Sequence, residues 1–177
     1  GLMAVKLAER AFERGSDVEM WMGGTSVQLP EYIPTKRFGS VSELEKLVES
    51  INHDIVIVPA ALADFAPDTV EEGKIPSDKS FSVHLNPVPK VLPSIRKKCN
   101  LVIGFKAESG LSREDLIARA KKRMEEYDLN AVIANDIDVA GRSATSVILV
   151  TKDKEVDISG LKTKVANSIM DYCSSIL

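Results

Sequence analysis

A chain of 177 residues and 19.3 kDa has room for one well-buried core, and its length sets an expectation of one domain. Apolar residues at 44% and charged residues at 28% are ordinary for a globular protein and argue against disorder. The balance of 23 Lys and Arg against 26 Asp and Glu gives a formal charge of −3; this removes the electrostatic case for nucleic acid as main partner, though one or two lysines suffice to hold a small anion.

The predicted elements begin at once. Met3, Val5, Leu7, Ala8 and Phe12 roughly follow helical spacing, and Gly15 is a good C-terminal stop. No initiator methionine, strand or N-cap residue comes before this helix, so the expectation is an N-terminus that has been cut away. Residues 17–22 alternate like a strand that ends at Gly23-Gly24. Residues 25–35 hold two prolines and read as loop, and residues 36–41 as a short strand. Ser40-Val41-Ser42-Glu43 has capping-box spacing and predicts a helix to about Ile51. The β-branched run Ile55-Val56-Ile57-Val58 predicts a buried central strand of a parallel sheet.

Residues 60–79 carry Pro67, Gly73 and Pro76 without periodicity and read as an irregular loop, of a length that is usually functional or mobile. Residues 81–85 alternate as a strand, residues 89–98 read as a helix with a proline in its first turns, and residues 101–105 as the next strand. Ser112-Arg113-Glu114-Asp115 opens a helix reaching about Tyr127, with acids early and bases late as the helix dipole favours. Residues 131–134 form another buried strand, residues 146–151 and 155–158 a hairpin, and residues 161–176 a last amphipathic helix. Alternation of this kind predicts an α/β fold: a Rossmann-like three-layer sandwich, with a mostly parallel sheet and a C-terminal antiparallel hairpin.

Several chemistries are disfavoured. The longest apolar run, residues 55–63, contains Pro59 and is far short of the roughly 20 residues that span a bilayer. With no visible secretory leader, and with Cys99 and Cys173 far apart and without metal-ligand spacing, the expectation is a cytoplasmic protein with reduced, partly buried thiols. His53 and His84 are the only histidines, which disfavours a His-rich zinc site or a Ser-His-Asp triad. The Walker and Gly-x-Gly-x-x-Gly patterns are absent.

Open parallel sheets bind ligands at the C-terminal ends of their strands, so the residues just after each buried strand matter most. Three such ends are unusual. After the first comes Ala60-Ala61-Leu62-Ala63-Asp64-Phe65, whose small residues let backbone approach a flat ligand beside a carboxylate; a packed alanine-rich turn with a surface aspartate explains them too. The second is Gly104-Phe105-Lys106-Ala107-Glu108-Ser109, where the aromatic ring either stacks on a base or fills the core. The third is Ala134-Asn135-Asp136-Ile137, either ligand contacts or plain turn chemistry.

Taken together and in order, with Lys74 ten residues after Asp64, Asn86-Pro87 between the first two ends and Ala118-Arg119-Ala120-Lys121 between the last two, these segments resemble phosphopantothenoylcysteine synthetase. This is the CoaB part of the bacterial and archaeal CoaBC protein of coenzyme A biosynthesis. The opening Gly1-Leu2-Met3 looks like part of the family's Ser-Ser-Gly-Lys-Met-Gly helix start. The resemblance covers nearly the whole chain. It implies a single synthetase domain over residues 1–177, with the family's first strand, Gly-Gly-Thr turn and a catalytic Asn lying upstream of residue 1.

The implied activity is a nucleotide-dependent ligase that joins 4'-phosphopantothenate to L-cysteine through an acyl-nucleotide, with Mg²⁺ and with CTP or ATP as co-substrate. The implied partners are a second copy of the chain, the long loop helping to form the dimer, and a fused or separate flavin-dependent decarboxylase. By residue, the resemblance implies that Val58, Pro59 and Ala60 line the nucleotide crevice and that Asp64 contacts the nucleotide. Lys74 neutralises the activated intermediate and is the implied catalytic group. Pro87, Val88, Pro89 and Lys90, in place of the family's Pro-Asp-Ile-[Val/Leu], approach the nucleotide with backbone. Phe105 packs on the nucleotide, Lys121 reaches its phosphates, and Asn135 and Asp136 sit at the crevice. Three departures leave the base preference open: Glu125 replaces the second phosphate lysine, Val88 an Asp, and Lys106 an Ala. A nucleotide-binding dimerisation module without ligase activity is the alternative; a flavin- or nicotinamide-dependent reductase is disfavoured by the missing glycine fingerprint.

Overall fold

The valine- and isoleucine-rich runs come together as one sheet. The computed structural model describes residues 1–69, 73–75, 80–136 and 143–177. Its elements, in chain order, are α1 (Leu2–Glu13), β1 (Met20–Met22), β2 (Thr35–Arg37), α2 (Val41–Val48), β3 (Ile55–Val58), β4 (Phe65–Pro67) and β5 (Leu85–Pro87). Then follow α3 (Val91–Lys98), β6 (Leu101–Glu108), α4 (Arg113–Glu126), β7 (Ala131–Asp136), β8 (Ala144–Val150), β9 (Glu155–Leu161) and α5 (Lys162–Ile176). The main sheet has five strands in the order β3-β6-β7-β8-β9. β3, β6 and β7 are parallel, in registers that set Val58 opposite Gly104 and Lys106 opposite Ala134, while β7-β8 and β8-β9 are antiparallel.

Side chains alternate across a strand, and here both faces are covered. Val102, Val132, Ala134, Ile148 and Val150 pack against residues of α2, α3 and α4, among them Leu44, Ile95, Leu116 and Met124. Their neighbours Ile103, Ile133, Val147 and Leu149 pack against Leu7 of α1 and Val165 and Ile169 of α5. The result is the expected three-layer sandwich with a C-terminal antiparallel hairpin. Each fully buried Val or Ile contributes about 1.5–3 kcal/mol, so these central strands dominate the core. Gly104 in β6 has a packing reason: a Cβ there would lie 2.9 Å from Leu129 Cδ1.

The helix starts follow the local sequence. Ser40 Oγ accepts the Glu43 N–H at 3.1 Å, and the Glu43 carboxylate in turn accepts the Gly39 N–H at 2.6 Å, one residue earlier than in an ideal capping box. Ser112 Oγ accepts the Asp115 N–H at 3.1 Å, with Glu114 and Asp115 in the first turn of α4. Pro93 sits in the first turn of α3, where a missing N–H costs nothing.

Four expectations are corrected. The run at 55–58 is a strand, but among the described residues it lies at the edge of the five-stranded sheet and is only half-buried; its β-branched residues are covered by the two helical layers. The strand expected over 17–22 is shorter and pairs in parallel with β2 as a separate two-stranded sheet. The expected irregular loop contains β4, which among the described residues pairs antiparallel with β5, Ala66 opposite Asn86. Finally, β5 begins at Leu85, and the alternation of Phe81, Val83 and Leu85 does not signal burial: all three are more than half exposed, at 51%, 54% and 51%. Both cysteines are free and buried.

Candidate functional site: a cationic crevice at the strand ends

A crevice of about 580 Å³ opens where the parallel strands end. Residues 58–64 after β3, Phe105, Lys106 and Ala107 of β6, and Asn135 of β7 form its floor and one wall. Pro89, Lys90, Val91 and Leu92 enter from the start of α3, Arg123 and Tyr127 from α4, and Thr145 and Val147 from β8. Gly1, Leu2 and Met3 at the start of α1 and Lys162 at the start of α5 complete it from the opposite helical layer. The position obeys the rule for open α/β sheets.

Its charge is strongly biased. Among the described residues the lining carries four cations, Lys90, Lys106, Arg123 and Lys162, against a single carboxylate, Asp64. The three helices that bring their N-terminal residues to the crevice, α1, α3 and α5, have no side-chain cap and no acid in the first turn. By contrast α2 and α4, whose N-termini lie elsewhere, are capped by serine and carry acids there. Such N-termini present the positive ends of helix dipoles, although the first N–H of α5, that of Lys162, donates to Ser143 O at 2.9 Å. Cations and dipoles therefore converge in a chain whose net charge is −3. Such a cavity favours a polyanion.

Two pairings order the cations. Lys90 donates to Asp64, which also accepts the Val88 N–H on its backbone carbonyl at 3.0 Å. The Lys90 hydrogen bond holds the Asp64 carboxyl below the usual carboxylate range, with smaller help from Arg123 and Lys106. Lys106 pairs with Glu108 at 2.8 Å, and Arg119 reaches the same carboxylate at 3.0 Å; the Lys106 bond lowers the Glu108 carboxyl most, against some desolvation. The Arg123 guanidinium carbon lies 4.9 Å from the centre of the Tyr127 ring, one helical turn on.

Of the residues singled out from the sequence, the fold brings Val58, Pro59, Ala60, Asp64, Pro89, Lys90, Phe105 and Asn135 together in the crevice. Phe105 is partly buried, packs against the core beneath α5 and also lines the crevice. Asp136 closes β7 in register with Glu108. Pro87 and Val88 adjoin the lining without being part of it, and Lys74 is exposed and outside it. Lys121 faces away, paired with Glu155 of β9 at 2.6 Å. Residues two apart on a helix are about 200° apart around its axis, so α4 can present Arg123 to the crevice only by turning Lys121 elsewhere. Lys106 stood out in the sequence only as a departure from the family pattern. Nothing local marked Lys162 or Tyr127.

An open three-layer α/β domain with a cation-lined crevice at its parallel strand ends is the class defined so far. The family model for the DNA/pantothenate metabolism flavoprotein C-terminal domain matches residues 1–176, and the chain belongs to that family. It is 36% identical to the coenzyme A biosynthesis bifunctional protein CoaBC of Methanocaldococcus jannaschii over its whole length, but spans only 45% of that relative. Among solved structures it resembles the C-terminal domain of a coenzyme A biosynthesis bifunctional protein CoaBC, with a TM-score of 0.81 at 25% identity over 99% of this chain and 82% of the other. It shares its fold with a Cab2 variant in complex with phosphopantothenate-cysteine, with a TM-score of 0.76 at 16% identity over 99% of this chain and 77% of the other.

Proposed function

We propose that the chain is the ligase part of a coenzyme A biosynthesis enzyme, joining 4'-phosphopantothenate to L-cysteine with CTP or ATP as co-substrate. The observation that carries this is the crevice charge: four lining cations against one carboxylate at the strand ends of a family member. A carboxylate is a poor electrophile. Its oxygen attacks the nucleotide α-phosphorus, the bond to the β-phosphate oxygen breaks, and pyrophosphate leaves. The cysteine amine then attacks the acyl carbon, gives up a proton, and expels the nucleoside monophosphate as the amide forms. Two anions must approach each other in the first step, so the chain's contribution is to neutralise charge where it accumulates. One lysine about 4 Å from a phosphate gives roughly 4 kcal/mol of gross attraction at an effective dielectric near 20, reduced where water enters.

Mg²⁺ would supply further neutralisation of the triphosphate. Among the described residues no group of three or more His, Cys, Asp or Glu is placed to hold a metal, and Asp64 is already engaged by Lys90. These residues suit an ion that arrives on the triphosphate rather than one held in a protein cage.

Three further features fit the same assignment. In β4 and β5, Phe65 pairs across with Pro87, and Pro67 with Leu85, so one face of the ribbon is apolar; Phe65 and Leu85 are more than half exposed. We assign this ribbon to contact with a second copy of the chain in a homodimer. β1 and β3 each have one unpaired edge among the described residues, and a cleft of about 150 Å³ between them is walled by Trp21, Phe38 and residues 55–58. A further parallel strand from upstream of residue 1 suits that cleft, completing the single domain expected from the sequence. Among the described residues no helix is long and apolar enough to cross a membrane, which accords with a cytoplasmic enzyme beside a flavin-dependent decarboxylase.

Exposed Lys74 and outward-turned Lys121 favour a second possibility, a nucleotide-binding dimerisation module that does not ligate. Pyrophosphate release decides between them. With CTP or ATP, 4'-phosphopantothenate and Mg²⁺, release that continues on adding cysteine and yields an amide product is expected; nucleotide binding without release overturns the ligase assignment.

A further inference from the structure

Two of the four crevice cations are already neutralised in the structure, Lys90 by Asp64 and Lys106 by Glu108. Arg123 is not: among the described residues no carboxylate pairs with it, and its recorded partner is the face of Tyr127. Tyr127 is itself buried, at 9% exposure, so the ring is a fixed platform. An arginine over an aromatic face loses none of its hydrogen-bonding capacity, because its N–H groups point outward in the guanidinium's own plane. Stacking also removes most of the rotamer freedom the side chain would otherwise give up on binding. Arg123 and Tyr127 both line the crevice, and Arg123 is near enough to Asp64 to act on its charge.

We propose that Arg123, held over the Tyr127 ring, is a phosphate-binding residue of this crevice and does there what Lys121, committed to Glu155, does not. The recognised chemistry is a phosphoryl group gripped by two parallel N–H donors, a geometry a lysine cannot reproduce. The proposal rests on the ligase assignment for its choice of ligands: the triphosphate of the nucleotide and the terminal phosphate of 4'-phosphopantothenate both present this group.

Calorimetric titration of the intact protein with CTP, inorganic tripolyphosphate and 4'-phosphopantothenate tests it. Substituting Arg123→Gln should weaken at least one of these by about tenfold or more, the scale of a charge-assisted hydrogen-bond pair. The dependence of log Kd on log salt should also flatten for the affected ligand, which a merely structural residue would not cause. Arg123→Lys should recover less than half of the lost affinity, and Tyr127→Leu, which keeps the cation but removes its platform, should lose several-fold. Loss for CTP and tripolyphosphate together assigns Arg123 to the nucleotide; loss for 4'-phosphopantothenate alone assigns it to the other substrate. Unchanged affinity for all three in Arg123→Gln, with wild-type protein binding normally, overturns the Arg123 proposal and leaves the ligase assignment standing. Wild-type protein that binds none of the three overturns both. Thermal melting of each variant within a few degrees of wild type separates a binding defect from misfolding, and a variant that melts early is replaced by Arg123→Met for the same titrations.

Discussion

Lys90 and Asp64 meet at the crevice mouth, where a carboxylate next to an incoming triphosphate has two opposite effects. It repels phosphate, and it can accept a hydrogen bond from base or ribose. Asp64→Asn separates them: tripolyphosphate, which has neither base nor ribose, should bind several-fold tighter, while CTP should gain less or lose affinity. Equal gains for both ligands would remove Asp64 from nucleoside recognition. Lys74 is exposed in the structure, so the role given to it requires that it move to the crevice during the reaction. Lys74→Ala should then leave nucleotide affinity within about tenfold and slow turnover by at least about 100-fold, the magnitude of a lost charge-stabilising contact in a transition state. Turnover within threefold of wild type would take Lys74 out of the mechanism. The chemistry-bearing residue types after each strand were legible in the sequence because strand ends are set by local β-branched runs. Which cation faces the crevice was not, since the rotation that sends Lys121 toward Glu155 is set by how Leu116, Ile117, Ala120 and Met124 of α4 pack against distant strands.

Elements carry the assembly. β4 and β5 form a three-residue antiparallel ribbon with Asp68 N–H donating to His84 O at 3.2 Å beyond the ladder. A two-stranded ribbon is marginal alone in water, and one with an exposed apolar face gains most from a partner. Replacing Phe65 and Leu85 together by Glu should convert a dimer to monomer in sedimentation equilibrium at micromolar concentration while leaving the helical circular dichroism unchanged. Should the doubly substituted protein remain dimeric, the interface lies elsewhere. The sequence showed no strand at Phe65-Ala66-Pro67 and placed the other one at residues 81–85, because Phe65-Ala66-Pro67 and Leu85-Asn86-Pro87 are too short and proline-rich to show a period; their mutual pairing defines them.

At the scale of the whole molecule, titration acts from both ends of the pH range. Glu19, Asp64, Glu108 and Asp157 all have carboxyls lowered by neighbouring donors. A lowered folded-state value means the folded chain releases these protons more readily, so the stability they lend is present above the ordinary carboxylate range near 4 and is lost as pH falls through and below it. Asp64 and Asp157 are exposed and Glu19 and Glu108 only partly buried, so the loss should be gradual. At the other end burial pushes the Cys173 thiol up to about 11 from an ordinary 9.0, and burial raises Tyr172 as well. Here the folded chain holds its protons more tightly, so that stability is present below pH 9 and is lost as pH rises toward 11. Melting temperature should therefore be flat between about pH 6 and 8 and fall on both sides, and Cys173→Ala should flatten the alkaline limb. An alkaline limb unchanged by that substitution would show that Cys173 does not titrate on unfolding. Cys173 should also resist alkylation in the native protein at pH 8, since its thiol is buried and protonated.

Local pattern was enough for the layers: β-branched runs made strands, Ser40 and Ser112 set helix starts, and the alternation of the two required a covered sheet, in which β3, β6 and β7 are parallel and β8 and β9 join antiparallel. From that alone followed the place to look for a ligand, and eight of the thirteen residues singled out there do line one crevice. Only the tertiary structure decided that residues 55–58 form an edge, that residues 65–67 are a strand, and that Arg123 and Lys162 rather than Lys121 face the crevice. The physical reason is the range of the forces involved: capping and strand preference act within a few residues, whereas strand order, ribbon pairing and the direction of a long cationic side chain are set by partners tens of residues away.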